Sequence, residues 1–120
     1  MNVEELIDEC LSFDGAEECF PFDDETLVFK VEGKIFAYIP LESPDLCVVL
    51  KCNAERAVDL RDQYSSIQPA YHMNKKYWNT VFVTPEITVS LLHQLIEHSY
   101  HEVLRKLPKK VRDKYKISIS

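Results

Sequence analysis

Val3, Leu6, Ile7, Cys10 and Leu11 recur at i, i+3, i+4, i+7 and i+8, the stripe of an amphipathic helix. Asn2 and Glu5 have the spacing of a capping box at its start, and Asp14-Gly15 closes it. From Ala16 the texture changes to short β-like runs. Leu27-Val28-Phe29-Lys30-Val31 alternates, with Leu27, Phe29 and Val31 on one face. Glu32-Gly33 then predicts a hairpin turn into a second strand over 34–39. A loop over 40–44 leads to a third strand over 46–51, which makes an antiparallel meander.

Asn53 caps a second predicted helix over 54–64, with Ala57, Leu60 and Tyr64 facing inward. Two further strands are expected over 67–71 and 78–83, joined by His72-Met73-Asn74-Lys75-Lys76-Tyr77. The last long helix is expected over 88–107, with Val89, Leu92, Ile96, Tyr100, Val103 and Leu107 as its apolar stripe and Pro108 as its stop. A short basic helix or tail follows from Lys109. The order α-β3-α-β2-α predicts a two-layer α+β fold, with an antiparallel sheet of about five strands and helices packed mainly on one face. No repeat or internal boundary interrupts it, so residues 1–120 read as one domain with a basic C-terminal segment over 105–116.

Composition supports a single core: 46% of the 120 residues are hydrophobic and 28% charged, as in ordinary globular domains. The acidic N-terminus and the shortness of the run Leu46 to Leu50 lead to the expectation of a cytoplasmic protein without membrane association. Cys10, Cys19, Cys47 and Cys52 form no Cys-x-x-Cys pair, so reduced, mostly buried thiols are expected. Charge is segregated along the chain. Residues 1–50 carry thirteen acids against two lysines, a net of −11, and residues 51–120 carry twelve bases against seven acids, a net of +5. The overall −6 opposes indiscriminate polyanion binding and leaves room for a local basic face.

Enzymatic chemistry finds little support. His93, Glu97 and His101 form one helix ridge at i, i+4 and i+8, but two turns spread them over about 12 Å, too far for all three to share one ion. Ser99 adjoins His98 and Tyr100 only in sequence, and helix neighbours do not face each other. Two isolated glycines, Gly15 and Gly33, cannot make a phosphate loop. No metal, no cofactor and no catalytic residues are therefore expected. A small-ligand pocket around His72, Trp78, Ser99 and Tyr100 is the remaining alternative of this kind.

Basic features carry more. Arg105, Lys106, Lys109, Lys110, Arg112, Lys114 and Lys116 set seven bases against one acid in residues 104–116, enough to neutralise phosphates, although cations at a helix C-terminus also serve the macrodipole. Residues 71–79 mix aromatic, basic and amide groups that can stack on bases and contact phosphates. On physical grounds alone, a lone Trp78 belongs to the core.

The segment Pro69-Ala70-Tyr71-His72-Met73-Asn74-Lys75-Lys76-Tyr77-Trp78-Asn79-Thr80 resembles the signature stretch of the MmcQ/YjbR family of small bacterial proteins. Phe20-Pro21-Phe22, Gly33-Lys34-Ile35-Phe36-Ala37, Leu50-Lys51-Cys52, His98-Ser99-Tyr100 and Leu107-Pro108-Lys109-Lys110 match in the same order across nearly the whole chain. The resemblance implies a CyaY-like or secretion-chaperone-like fold. It also implies non-enzymatic DNA binding through a double-wing arrangement of hairpins, with Lys75, Lys76, Trp78, Lys109 and Lys110 carried over as contacts. Charge clustering adds Arg105, Lys106, Arg112 and Lys114. The expected partner of this presumed monomer is DNA, with another protein as the alternative.

Overall fold

The structure, a computed structural model, describes residues 1–20, 24–71 and 73–115. His72, Pro21, Phe22 and Lys116 lie outside the described residues. The element order is α1 (Val3–Leu11), β1 (Glu17–Cys19), β2 (Thr26–Val31), β3 (Lys34–Pro40), β4 (Cys47–Lys51), α2 (Ala54–Gln63), β5 (Ile67–Pro69), β6 (Trp78–Phe82), α3 (Val89–Leu104) and α4 (Lys109–Arg112), followed by a 3-10 turn over Asp113–Tyr115. The sheet is antiparallel throughout, in the order β1-β2-β3-β4-β6-β5. It is the α+β architecture expected, with one short edge strand, β1, added to the five read from the pattern.

Local chemistry explains the element ends. Asn2 and Glu5 make a reciprocal capping box on α1, and the Asn53 side chain accepts from the amides of Glu55 and Arg56 at the start of α2. Glu32 and Gly33 both have positive φ, 51° and 74°, the two-residue turn whose twist suits a hairpin. Gly15 also has positive φ, and a Cβ there would stand 2.7 Å from the Tyr115 hydroxyl. The chain thus needs glycine at 15 both for its conformation and for the close approach of the C-terminal turn.

Strand alternation sorts the sheet into two faces. Leu27, Phe29, Val31, Phe36, Val48, Leu50, Ile67 and Val81 join Leu6 and Cys10 of α1, Ala57 and Leu60 of α2, and Leu92, Ile96, Tyr100 and Val103 of α3 in one buried core. Full burial of each large side chain there contributes about 1.5–3 kcal/mol. Val49, Ala70 and Trp78 form a smaller cluster without any helix residue, flanked by Ile35, Tyr38, Met73 and Tyr77. The register Tyr38↔Val49↔Thr80 and Lys51↔Trp78 places this second cluster on the face turned away from the helices.

Some details differ from the pattern. Val89 is 62% exposed at the first turn of α3, whereas Leu95 and Leu104 are buried and complete the stripe. Regular α3 ends at Leu104, and residues 105–107 turn away before Pro108. The strand expected over 67–71 stops at Pro69, so Tyr71 stands exposed in the following loop. The four cysteines are free thiols, three of them buried. Burial pushes Cys10 up to about 12 and Cys52 up to about 11, which keeps both protonated. Among the described residues no helix is long and apolar enough to cross a membrane.

Candidate nucleic-acid interface

Three strands bring their ends together at one edge of the second sheet face. Lys34 opens β3 just after the β2–β3 turn, Lys51 closes β4, and Trp78 opens β6 directly opposite Lys51. The turn after α3 delivers Lys106 to the same place. Together with Ile35 and Met73 these residues line a cleft of about 590 Å³. Trp78 is 9% exposed. It is thus both the core residue that its apolarity demands and part of the cleft wall.

The segment leading into Trp78, residues 73–77, reaches the cleft through Met73. Its shape is fixed by short-range bonds: the Asn74 side chain accepts from the Lys76 amide at 3.0 Å and the Asn74 carbonyl from the Tyr77 amide at 3.1 Å. The Tyr77 carbonyl accepts from the Cys52 amide at 2.7 Å, and Arg61 of α2 donates to the Lys75 carbonyl at 3.3 Å. Lysine ammoniums then sit over tyrosine rings. Lys75 Nζ lies 5.0 Å from the Tyr71 centroid, and Lys76 and Lys106 each lie 5.4 Å from that of Tyr77, within cation–π range. Burial lowers the Lys51 pKa, and the neighbouring Lys106 charge lowers it further.

The described bases of residues 105–114 differ in their surroundings. Arg105 makes two hydrogen bonds to Glu102, which holds the buried Glu102 carboxyl below its ordinary range. Lys114 stands 3.9 Å from Glu32, which also accepts from the Tyr115 hydroxyl at 2.7 Å. Arg112 is half-buried, with Nε lacking a hydrogen-bond partner among the described residues. Lys109 and Lys110 are exposed on α4. Among the described bases of this group, Lys106 lines the cleft, where it joins Lys51 and Lys34.

Lys34 and Lys51 were missed in the charge reading because each is isolated in sequence. The alternation Cys47, Val49, Lys51 does place Lys51 on the face away from the helices, and that signal was legible.

Of the pocket expected around His72, Trp78, Ser99 and Tyr100, His72 lies outside the described residues and the other three are not brought together. Ser99 is fully buried between α3 and the sheet, donating to the Phe36 carbonyl and accepting the Lys51 amide at 2.8 Å. Tyr100 is packed against Phe13 and Phe36, and its hydroxyl donates to the Asp14 carbonyl. Both lie on the helix side of the sheet, with Trp78 on the other. On the His93 ridge, His93 is bonded to Glu9 of α1, lies 3.8 Å from Glu97 and stacks on Phe13, while His101 lies against Tyr100. No group of three His, Cys, Asp or Glu suited to a metal ion occurs among the described residues.

A family model, YjbR, matches residues 11–102. The chain belongs to the YjbR family. The protein YjbR of Escherichia coli K12 is 32% identical over 112 residues, covering 93% of this chain and 95% of that one. YbdF of Escherichia coli O157:H7 is 38% identical over 94 residues, 78% of this chain and 77% of its own. Among solved structures, Deinococcus radiodurans protein DR2400 superposes with a TM-score of 0.87 at 37% identity, over 94% of this chain and 86% of that chain. A Pseudomonas syringae protein gives a TM-score of 0.71 at 28% identity, over 82% and 96%. The YjbR match contains Lys34, Lys51, Lys75, Lys76 and Trp78 and ends before Lys106.

Proposed function

We propose that this YjbR-family protein binds DNA without catalysis, through the rim and cleft formed by Lys34, Lys51, Lys75, Lys76 and Lys106 with Tyr71, Tyr77 and Trp78. The observation that carries the reading is the pairing of lysines with tyrosine rings on the 70–77 loop, beside a cleft into which two hairpins converge. Ammoniums neutralise phosphates, and exposed rings such as Tyr71, 67% exposed, offer stacking platforms for bases. The gathering of Lys34, Lys51 and Lys106 at one cleft is compatible with a net charge of −6, because phosphate contact needs only a local field. Arg105 and Lys114, held by carboxylates, contribute little to it; Lys109 and Lys110 extend the surface beyond the cleft.

The test is a titration of fluorescent duplex and single-stranded oligonucleotides of equal length at several salt concentrations. Wild-type protein should bind at low salt, with the logarithm of affinity falling by about 3 per decade of salt for a single strand if four or five phosphates are neutralised. Lys76→Glu/Lys106→Glu should weaken binding at least tenfold while leaving the circular dichroism spectrum intact. A folded wild-type protein that binds neither oligonucleotide at low salt overturns the proposal.

A further inference from the structure

Lys51 and Lys106 both line the cleft, close enough for the Lys106 charge to lower the proton affinity of Lys51. Glu102, whose charge acts on Lys51, is buried and held by two bonds from Arg105. Glu32, beside Lys34, is engaged by Tyr115 and Lys114. The other lining residues are a third lysine, Lys34, with Gly33 and the apolar Ile35, Met73, Trp78, Val103 and Leu107. Paired cations over an apolar, aromatic wall describe a receptor for a compact anion joined to a flat, weakly polar body. At about 590 Å³ the cleft suits a single small organic group.

The geometry points to a site for a nucleotide that carries a phosphate monoester, its phosphate between Lys51 and Lys106 and its base against Trp78 and Met73. The choice of a nucleotide rests on the DNA-binding reading above; the preference for a monoester does not. An internal phosphodiester carries one negative charge, whereas a terminal monoester carries about 1.5 to 2 at neutral pH and three acceptor oxygens. The monoester offsets the Lys51–Lys106 pair more fully than a diester does, and Lys34 adds to the preference for the higher charge. The site would therefore favour phosphorylated strand ends, or free nucleoside monophosphates, over strand interiors.

Trp78 is the sole tryptophan and lines the site, so its emission reports entry directly. Adenosine monophosphate should change Trp78 fluorescence saturably, and adenosine at the same concentration should not. Short single strands with a 5′- or 3′-phosphate should bind at least fivefold more tightly than the same strands with hydroxyl ends. Lys51→Met and, separately, Lys106→Met should each abolish that preference; the exposed Lys106 provides the test even where loss of Lys51 disturbs β4. If strands bind equally whatever their ends and the monophosphate leaves Trp78 unchanged, this site is refuted and DNA binding stands. If the monophosphate binds while no strand does, the site holds as one for free nucleotides and DNA binding falls.

Discussion

The Ser99 hydroxyl donates to the carbonyl of Phe36 in β3 and accepts the amide of Lys51 in β4. One side chain thus fastens α3 to two strands where both are buried. Its removal in Ser99→Ala leaves an amide and a carbonyl with no replacement partner, and the expected loss is about 1–3 kcal/mol of stability. The midpoint of urea unfolding measures it; an unchanged midpoint would mean that water replaces the hydroxyl. From the sequence, Ser99 stood out only as a neighbour of His98 and Tyr100. Its actual partners are 48 and 63 positions away, a separation no local pattern encodes. Trp78 was more legible: its apolarity implied burial, and it is 9% exposed.

Elements are joined to one another by a few polar side chains of this kind. His98 of α3 accepts the Asn53 amide at 3.1 Å through Nε2, while Asn53 caps α2. That bond requires the neutral ring. Burial, and then the positive charge of Arg56, lowers the His98 pKa below its ordinary value of 6.5. Stability from this group is therefore full above pH 6.5 and is lost as pH falls toward the lower folded pKa, where the folded state must take up a proton it resists. Thermal melts at about pH 7.5 and about pH 5.5 should show a larger drop for wild type than for His98→Gln, which keeps an acceptor but does not titrate in this range. Equal drops would remove His98 as the cause. At the same scale, helices and long strands were plain from periodicity and capping residues. The exception was β1, whose Glu17-Glu18-Cys19 has too few apolar positions to alternate; it is held by pairing with β2 alone.

Across the whole molecule, the two ends of strand β3 differ in the charge beside them. Lys34 and Lys51 stand at the cleft end, and the β3–β4 loop with exposed Glu42 and Asp45 stands at the other. Those acids lie too far from the cleft to touch a ligand, but their field reaches it at low ionic strength. Neutralising them in Glu42→Gln/Asp45→Asn should tighten strand binding by about threefold at roughly 10 mM salt and leave it unchanged at about 150 mM, where screening extends only about 8 Å. A gain that persists at the higher salt would point to a direct contact instead. The fold was legible at this scale because the meander is local in sequence. The cleft was not, because it draws on β3, β4, β6 and the end of α3.

The outermost strands have a consequence of their own. β1 and β5 are three residues long; one presents two exposed glutamates and the other ends in Pro69, which has no amide to donate. An extended, unpaired sheet border templates the addition of further chains, and short, charged or proline-bearing borders deny it. Sheet growth from copy to copy is thereby discouraged at both margins, and the native state offers a poor seed for fibrils.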